Sequence, residues 1–388
     1  MTPVKLCAAY FDKLIFLCAF GFCILFFGSF AVYAADFDFH PKITLKGFDV
    51  SAANSRSTKY AQGELVLPLS LYLGSNFSAG AEYFFTYDYF DKQKDTYNKL
   101  NRAFLAYSNS KLTLTAGRNF LDLGLNPIIY FGYYENRDLK KPTYFDGAFA
   151  TYEFNNFFEL SALGGTFENK DLYGAIFKMA FLKGFYFLAK EKNIDLSVYG
   201  ASFEIENDTF ALKLLGAYNG GKTIIEHFGT IVQKHKGKSF SGDISFKKER
   251  EFFGSEVSFG AQYLSPDKEN SLGYMAPAGN FDRGFIFNNL TDRLETLTYK
   301  LAFAVKPNFI DGLNAKAKIY NFRATDKRLI KRDIASELDL SVSYQYKNAV
   351  IELLYGYLRP LDAFNDFTGG LGDRESLNKF GLIFSYQF

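Results

Sequence analysis

Lysines and carboxylates recur at alternate positions in the last third of the chain. Lys300, Lys316 and Lys318 occupy two neighbouring runs, and Glu337, Asp339 and Glu352 the next two. If these runs are strands, each set of charges faces one side of a sheet, and a basic strip lies beside an acidic one. Such a transverse field orients dipolar or charged solutes and concentrates counter-ions in a narrow aqueous passage. The plainer reading is that the same charges keep a wall wet. A second group follows Arg118 in the stretch 121–142: Asp122, Tyr130, Tyr133, Glu135 and Arg137. These mixed charges and aromatics fall together in one long connection. Arg118 shares parity with Leu112 and Leu114, so strict alternation turns it toward the apolar side. A bulge or strand end just before it is expected to redirect it toward the loop or lumen. The alternative is a pair with Asp122 or Asp146 that pins the loop.

Catalysis has little to work with. The three histidines are His40, His227 and His235, with no companion cluster that would give a metal its three or four convergent ligands. No G-x-x-x-x-G-K-[ST] loop, G-x-S-x-G elbow or cysteine pair occurs. No cofactor, metal or enzymatic activity is expected. The formal charge of +2, from 44 basic and 42 acidic residues, lacks the basic excess of a nucleic-acid binder.

The elements that must position these charges are written in the composition. The 388 residues include 46 Phe, 27 Tyr and 32 Gly but no Trp, a mixture suited to many aromatic-rich strands joined by tight turns. A mean hydropathy of −0.09 excludes a multi-helix membrane protein, and 48% hydrophobic with 22% charged residues excludes a disordered chain.

Residues 1–34 form a leader. Lys5 and Lys13 precede an apolar run from Leu14 to Val32, and Val32-Tyr33-Ala34 offers a cleavage site near Ala34. An uncleaved anchor is the alternative. Cys7, Cys18 and Cys23 all lie in this leader, so residues 35–388 must be stabilised without disulfides. A closed sheet does this by pairing every backbone group.

Alternation dominates the remainder. Leu65, Leu67, Leu69, Leu71 and Leu73 form one run; Leu297, Tyr299, Leu301, Phe303 and Val305 form another, with Thr298, Lys300, Ala302 and Ala304 between them. Runs of about ten residues recur some eighteen times, as transmembrane strands require. The expected fold is therefore all-β: a transmembrane antiparallel barrel of about eighteen strands, with sixteen the nearest alternative. The stretch 185–203 reads as one bent strand or two, and 208–218, 223–233 and 238–247 as three. Tight connections at Gly74-Ser75-Asn76, Asn109-Ser110, Asn155-Asn156 and Lys347-Asn348 alternate with long ones at 121–142, 265–294, 324–334 and 359–377. Lys234-His235-Lys236-Gly237-Lys238 reads most simply as a solvated turn, with contact to anionic lipopolysaccharide the weaker reading.

The chain ends with Phe380, Leu382, Phe384, Tyr386 and Phe388 at every second position. This resembles the terminal strand that outer-membrane barrels present to their assembly machinery. Leu112, Leu114, Ala116-Gly117-Arg118, a long loop and then Tyr144-Phe145-Asp146-Gly147-Ala148 resemble the OprD-like porins. Ala276 to Asp282 resembles alginate-export-like barrels. The Phe- and Lys-rich whole resembles epsilonproteobacterial porin-like proteins, the Hof-like outer membrane proteins among them. The absence of Trp departs from many porins, so Tyr and Phe must supply the interfacial belts.

The resemblance implies passive diffusion of small hydrophilic solutes across the outer membrane, with a basic ladder guiding anionic or carboxylate-bearing ones and the third long loop, 121–142, folded inward as the constriction beside Arg118. It implies contact with outer-membrane lipid, lipopolysaccharide and the assembly machinery, no nucleic acid, and a monomer, although the sequence leaves a trimer open. The rival class is an adhesin whose barrel is plugged or narrow. By parity, Lys46, Lys178, Lys213 and Lys379, with Glu64, Glu82 and Glu256, join the inward charges.

Overall fold

The computed structural model describes residues 35–52, 58–88, 97–126, 129–131, 143–226, 230–266, 271–272, 274–275, 286–287, 295–326, 329, 331–368 and 375–388. Residues 1–34, which the sequence reading takes as a leader, together with His227, Tyr133, Glu135, Arg137 and the stretch Ala276 to Asp282, lie outside the described residues. Among the described residues are twenty strands. The first ten are β1 (Ala35–Phe39), β2 (Lys42–Ala52), β3 (Thr58–Leu73), β4 (Phe77–Asp88), β5 (Tyr97–Ser108), β6 (Leu112–Asn119), β7 (Phe145–Asn155), β8 (Phe158–Phe167), β9 (Lys170–Met179) and β10 (Leu182–Glu191). They continue as β11 (Ile194–Glu206), β12 (Phe210–Glu226), β13 (Thr230–Glu249), β14 (Phe253–Leu264), β15 (Ser271–Leu272), β16 (Thr296–Pro307), β17 (Leu313–Ala324), β18 (Asp333–Tyr346), β19 (Ala349–Pro360) and β20 (Leu377–Gln387). One short helix, α1 (Phe364–Thr368), follows β19.

Eighteen of these strands close into an antiparallel barrel. Each pairs with its sequence neighbours, and β2 meets β20 from Lys42↔Gln387 to Ala52↔Leu377. The other two are accessories: β1 extends β2 alongside Leu69–Leu73 of β3, and β15 runs parallel to β13. Closure leaves the wall no edge strand, the condition for a sheet to survive in lipid. The start of β2 and the end of β20 meet at one end, where the Phe388 amide donates to the Pro41 carbonyl at 2.8 Å. Short turns connect strands at that end, and the long connections stand at the other.

Parity separates two faces. On β20, Phe380, Leu382, Phe384 and Tyr386 point outward, with Phe380 57% exposed, while Lys379 points inward and is buried. A continuous apolar exterior of this kind is untenable in water and required in a bilayer. Tyrosine and phenylalanine form the two girdles that Trp often supplies. Phe77–Tyr107 at 4.9 Å, Phe158–Phe177 at 4.6 Å and Phe210–Phe246 at 5.6 Å mark the terminus end. Tyr199–Tyr218 at 5.3 Å and Phe240–Tyr263 at 6.4 Å mark the loop end.

The strand number matches the sequence reading through two compensating differences. The stretch 185–203 belongs to two strands, β10 and β11, turning at Lys192-Asn193. The three strands expected over 208–247 are two long ones, β12 and β13, of 17 and 20 residues. Asn219-Gly220-Gly221 and Lys234 to Lys238 carry turn-like residues, yet they pair in unbroken register, Gly221 opposite His235. Gly221 sits at φ +121°, where a Cβ would collide with the Asp195 carbonyl. The glycine keeps the strand continuous instead of ending it. On the β11 side the next two loop-end turns are tight, Lys192-Asn193 and then Glu168-Asn169 with both residues at positive φ, and the β12–β13 ladder runs past the end of β11 to Glu226↔Thr230.

Candidate functional site

The interior is built from side chains that alternate with the apolar exterior. Over β8 to β12 the inner face is itself apolar: Leu163, Phe167, Leu172, Ile176, Phe185, Phe187, Leu196, Val198 and Leu215 are all buried. Inward glycines make room for the rings there. A Cβ on Gly174 would strike the Phe187 ring, and Cβ atoms on Gly147 and Gly165 would crowd the Phe145 ring. Onto this patch folds the segment after β6. Leu121, Leu123, Leu125, Ile129 and Phe131 are buried against the wall, while Asp122 and Asn126 stay exposed. The segment is closed by the Leu121 amide donating to Phe131 O at 3.2 Å, and Asp122 Oδ1 accepts from the Gly124 amide at 2.8 Å. Tyr130 is half-buried, and its carbonyl accepts from Thr143 Oγ1 at 3.2 Å.

A second segment comes in from the connection between β14 and β16. Phe287 is fully buried, stacked on Phe322 at 4.1 Å and facing Phe367 of α1 at 6.2 Å. Glu337 on β18 holds this tip: its carboxylate accepts from the Ile286 amide at 2.5 Å and the Phe287 amide at 2.9 Å. Glu337 therefore points inward but is only 2% exposed. It anchors a segment and does not present a charge to solute.

Several of the remaining inward charges stand beside one of opposite sign. Glu204, Lys213 and Asp243 follow in register across β11, β12 and β13, and Gly260 and Lys300 continue the row on β14 and β16. Lys300 Nζ reaches Asp243 Oδ1 at 3.0 Å by passing over Gly260, where a Cβ would collide with that carboxylate. Signs alternate along this row. Lys318 stands directly opposite Asp339, and Lys316, exposed, opposite Ser341. Glu352 is half-buried opposite Ser343. Lys318 on β17 adjoins Asp339 on β18, but Glu337 is taken up by the inserted segment, and Lys300 is paired with Asp243, an acid that sequence reading overlooked. Elsewhere Lys46 pairs with Glu64 at 2.5 Å and Lys178 with Glu159 at 3.6 Å.

Arg118 does not turn inward. The register of β6 with β5 and β7 runs unbroken through it, so it keeps the outward parity of Leu114 and Tyr152. It bonds Asp146 bidentately, Nε to Oδ1 at 2.7 Å and Nη2 to Oδ2 at 2.9 Å, and lies over the Tyr144 ring at 4.0 Å. The expected bulge is absent because a partner in register removes the penalty of an outward charge. Two inward cations near the loop segment went unnoticed in the sequence. Arg102 donates to Asn119 Oδ1 at 2.9 Å and lies over Phe104 and Phe120, and Lys183 Nζ abuts Gly124. Parity would have found Lys183 had its strand been phased; Arg102 is hidden by a bulge at Asn101, which leaves Leu100, of the same parity, on the outer face. Among the described residues, no three His, Cys, Asp or Glu gather as metal ligands.

The architecture is thus a closed eighteen-stranded antiparallel barrel narrowed by segments folded against its inner wall. Solved structures share it. OccK5 (OpdH) of Pseudomonas aeruginosa superposes with a TM-score of 0.59 at 14% identity, covering 90% of this chain and 98% of that one. OccAB1 of Acinetobacter baumannii gives 0.61 at 12% identity over 91% and 96%, and Pseudomonas aeruginosa OpdL 0.59 at 14% over 91% and 99%. The OprD-like resemblance read from the sequence holds at the level of fold. No family model and no curated protein sequence matches the chain.

Proposed function

We propose that this chain is an outer-membrane porin through which small hydrophilic solutes diffuse passively. The carrying observation is a closed barrel with an apolar exterior, two aromatic girdles and an interior of charged side chains. In this reading residues 1–34 are removed near Ala34 and the barrel, residues 35–388, works as a monomer in outer-membrane lipid. The assembly machinery reads the strand from Phe380 to Phe388, whose alternate residues face outward. The segment 120–131 narrows the lumen on the β8–β12 side. Preference for anionic or carboxylate-bearing solutes would come chiefly from Lys316 and Lys183, since Lys318 and Arg102 face Asp339 and Glu82 in register. The alternating row at Lys213, Asp243 and Lys300 makes that preference weak and favours solutes carrying both signs.

Single-channel recording of the refolded protein in a planar bilayer under a salt gradient tests this. Discrete conductance steps are expected, with a reversal potential that moves toward cation selectivity when Lys300, Lys316 and Lys318 are all changed to Ala. A folded barrel, shifted on unheated gels, that passes no current overturns the open-channel reading and leaves a surface-binding barrel.

A further inference from the structure

The hairpin β12–β13 carries a feature the channel does not use. Lys234, Lys236 and Lys238 lie in the middle of β13, all exposed and all on the outward face that Phe240 shares. Lys222, also exposed, stands opposite Lys234 on β12. Lys222 has Asp195 within 4.0 Å; Lys234, Lys236 and Lys238 have no ion-pair partner among the described residues.

Their sidedness is locked from within. The intervening residues face inward and are packed: His235 is 2% exposed, with Nε2 at 2.8 Å from Thr223 Oγ1, and Ser239 is 1% exposed. Between them a Cβ on Gly237 would collide with Tyr274. Tyr274 is 3% exposed, and burial pushes its phenol up, so it stays neutral. The backbone is held on both edges, by β12 on one side and on the other by β15 and by Ser265, which exchanges bonds with Lys238. The three ammonium groups are therefore displayed on a rigid strand at a spacing of two residues, about 7 Å apart.

Height fixes what they meet. Phe246 belongs to the girdle at the terminus end, and Lys238 is eight residues along, about 26 Å of strand. A strand tilted by about 40° turns that into about 20 Å, close to the 25 Å apolar band of a barrel. Lys238 stands opposite Tyr218, and Phe240 beside Tyr263, in the upper girdle. Lys238 thus starts about 5 Å below the outer edge of the band, a distance its own side chain spans, with Lys236 at the edge and Lys234 above it among lipid head groups. Unpaired cations at this height attract anionic lipid.

We propose that Lys234, Lys236 and Lys238, with Lys222 beside them, form an exterior binding site for the phosphates of lipid A in the outer leaflet. This rests on the outer-membrane reading but not on conduction.

The test is native mass spectrometry of the full refolded barrel in detergent, titrated with bis-phosphorylated lipid A. Parallel titrations use monophosphorylated lipid A, phosphatidylglycerol and inorganic phosphate. Binding is expected to be tightest for the bis-phosphorylated lipid. Changing the three lysines to Gln should weaken it on the order of a hundredfold at low salt. Changing them to Arg should preserve it, and this variant also shows that the face tolerates substitution. Heat-modifiable migration reports folding in each case, and unaltered conductance of the Gln variant separates this site from the channel. Equal lipid A binding by the Gln variant overturns the proposal. So does equal binding of phosphatidylglycerol, which would mean that the lysines sense only membrane charge, or displacement of the lipid by millimolar inorganic phosphate.

Discussion

At the scale of single residues, small absences decide where charge goes. Lys300 and Asp243 sit on β16 and β13, two strands apart, and they meet because Gly260 on the strand between them has no side chain. The pair removes one cation from the lumen's field. Asp243→Asn should therefore release Lys300 and move the reversal potential toward anion selectivity, the opposite direction to loss of the lysines. An unchanged potential would mean that Lys300 lies outside the conducting path. The same scale explains Arg118: an outward guanidinium survives because Asp146, opposite in register, accepts two of its hydrogen bonds.

At the scale of elements, the barrel is a support for inward-folded segments. One is held by apolar contact, Leu121 to Phe131 on the β8–β12 wall; the other hangs on the Glu337 carboxylate. Glu337→Ala leaves two buried amides, those of Ile286 and Phe287, without their acceptor. At about 1–3 kcal/mol per unsatisfied group, the tip should detach. The expected result is fast proteolysis in the connection between β14 and β16, while the barrel keeps its heat-modifiable migration. Proteolysis at the wild-type rate would show that Phe287 stacking on Phe322 suffices. Parity placed Glu337 inward, but sequence could not show what lies over it, because Ile286 and Phe287 are 50 residues distant.

At the scale of the whole molecule, closure is cooperative. The β2–β20 ladder joins the two ends of the chain across more than 320 residues, from Ala52↔Leu377 to Lys42↔Gln387. Deleting residues 377–388 exposes the backbone edges of β2 and β19 to lipid, where each unsatisfied group costs several kcal/mol. No heat-modifiable species should form, and recovery of a folded barrel would mean that β19 can pair with β2 directly. Long-range pairing of this kind makes the fold slow to assemble.

Period two, with no competing helical pattern, already fixed the class of this protein from its residues. Apolar residues at every second position, from Leu65 to Leu73 and from Leu297 to Val305, can bury one face only, and ten-residue runs match a bilayer. The phase failed over 182–250, where Phe185, Phe187, Leu196, Val198 and Leu215 make much of the inner face as apolar as the outer, so alternation fades from the sequence. There only the tertiary structure supplies the reason: the segment 120–131 covers those residues, and a covered wall need not be polar. Lys234 to Lys238 shows the converse. Its composition is that of a solvated turn, yet pairing with β12 and β15 makes it strand, since backbone hydrogen bonds depend on neighbours that local composition does not reveal.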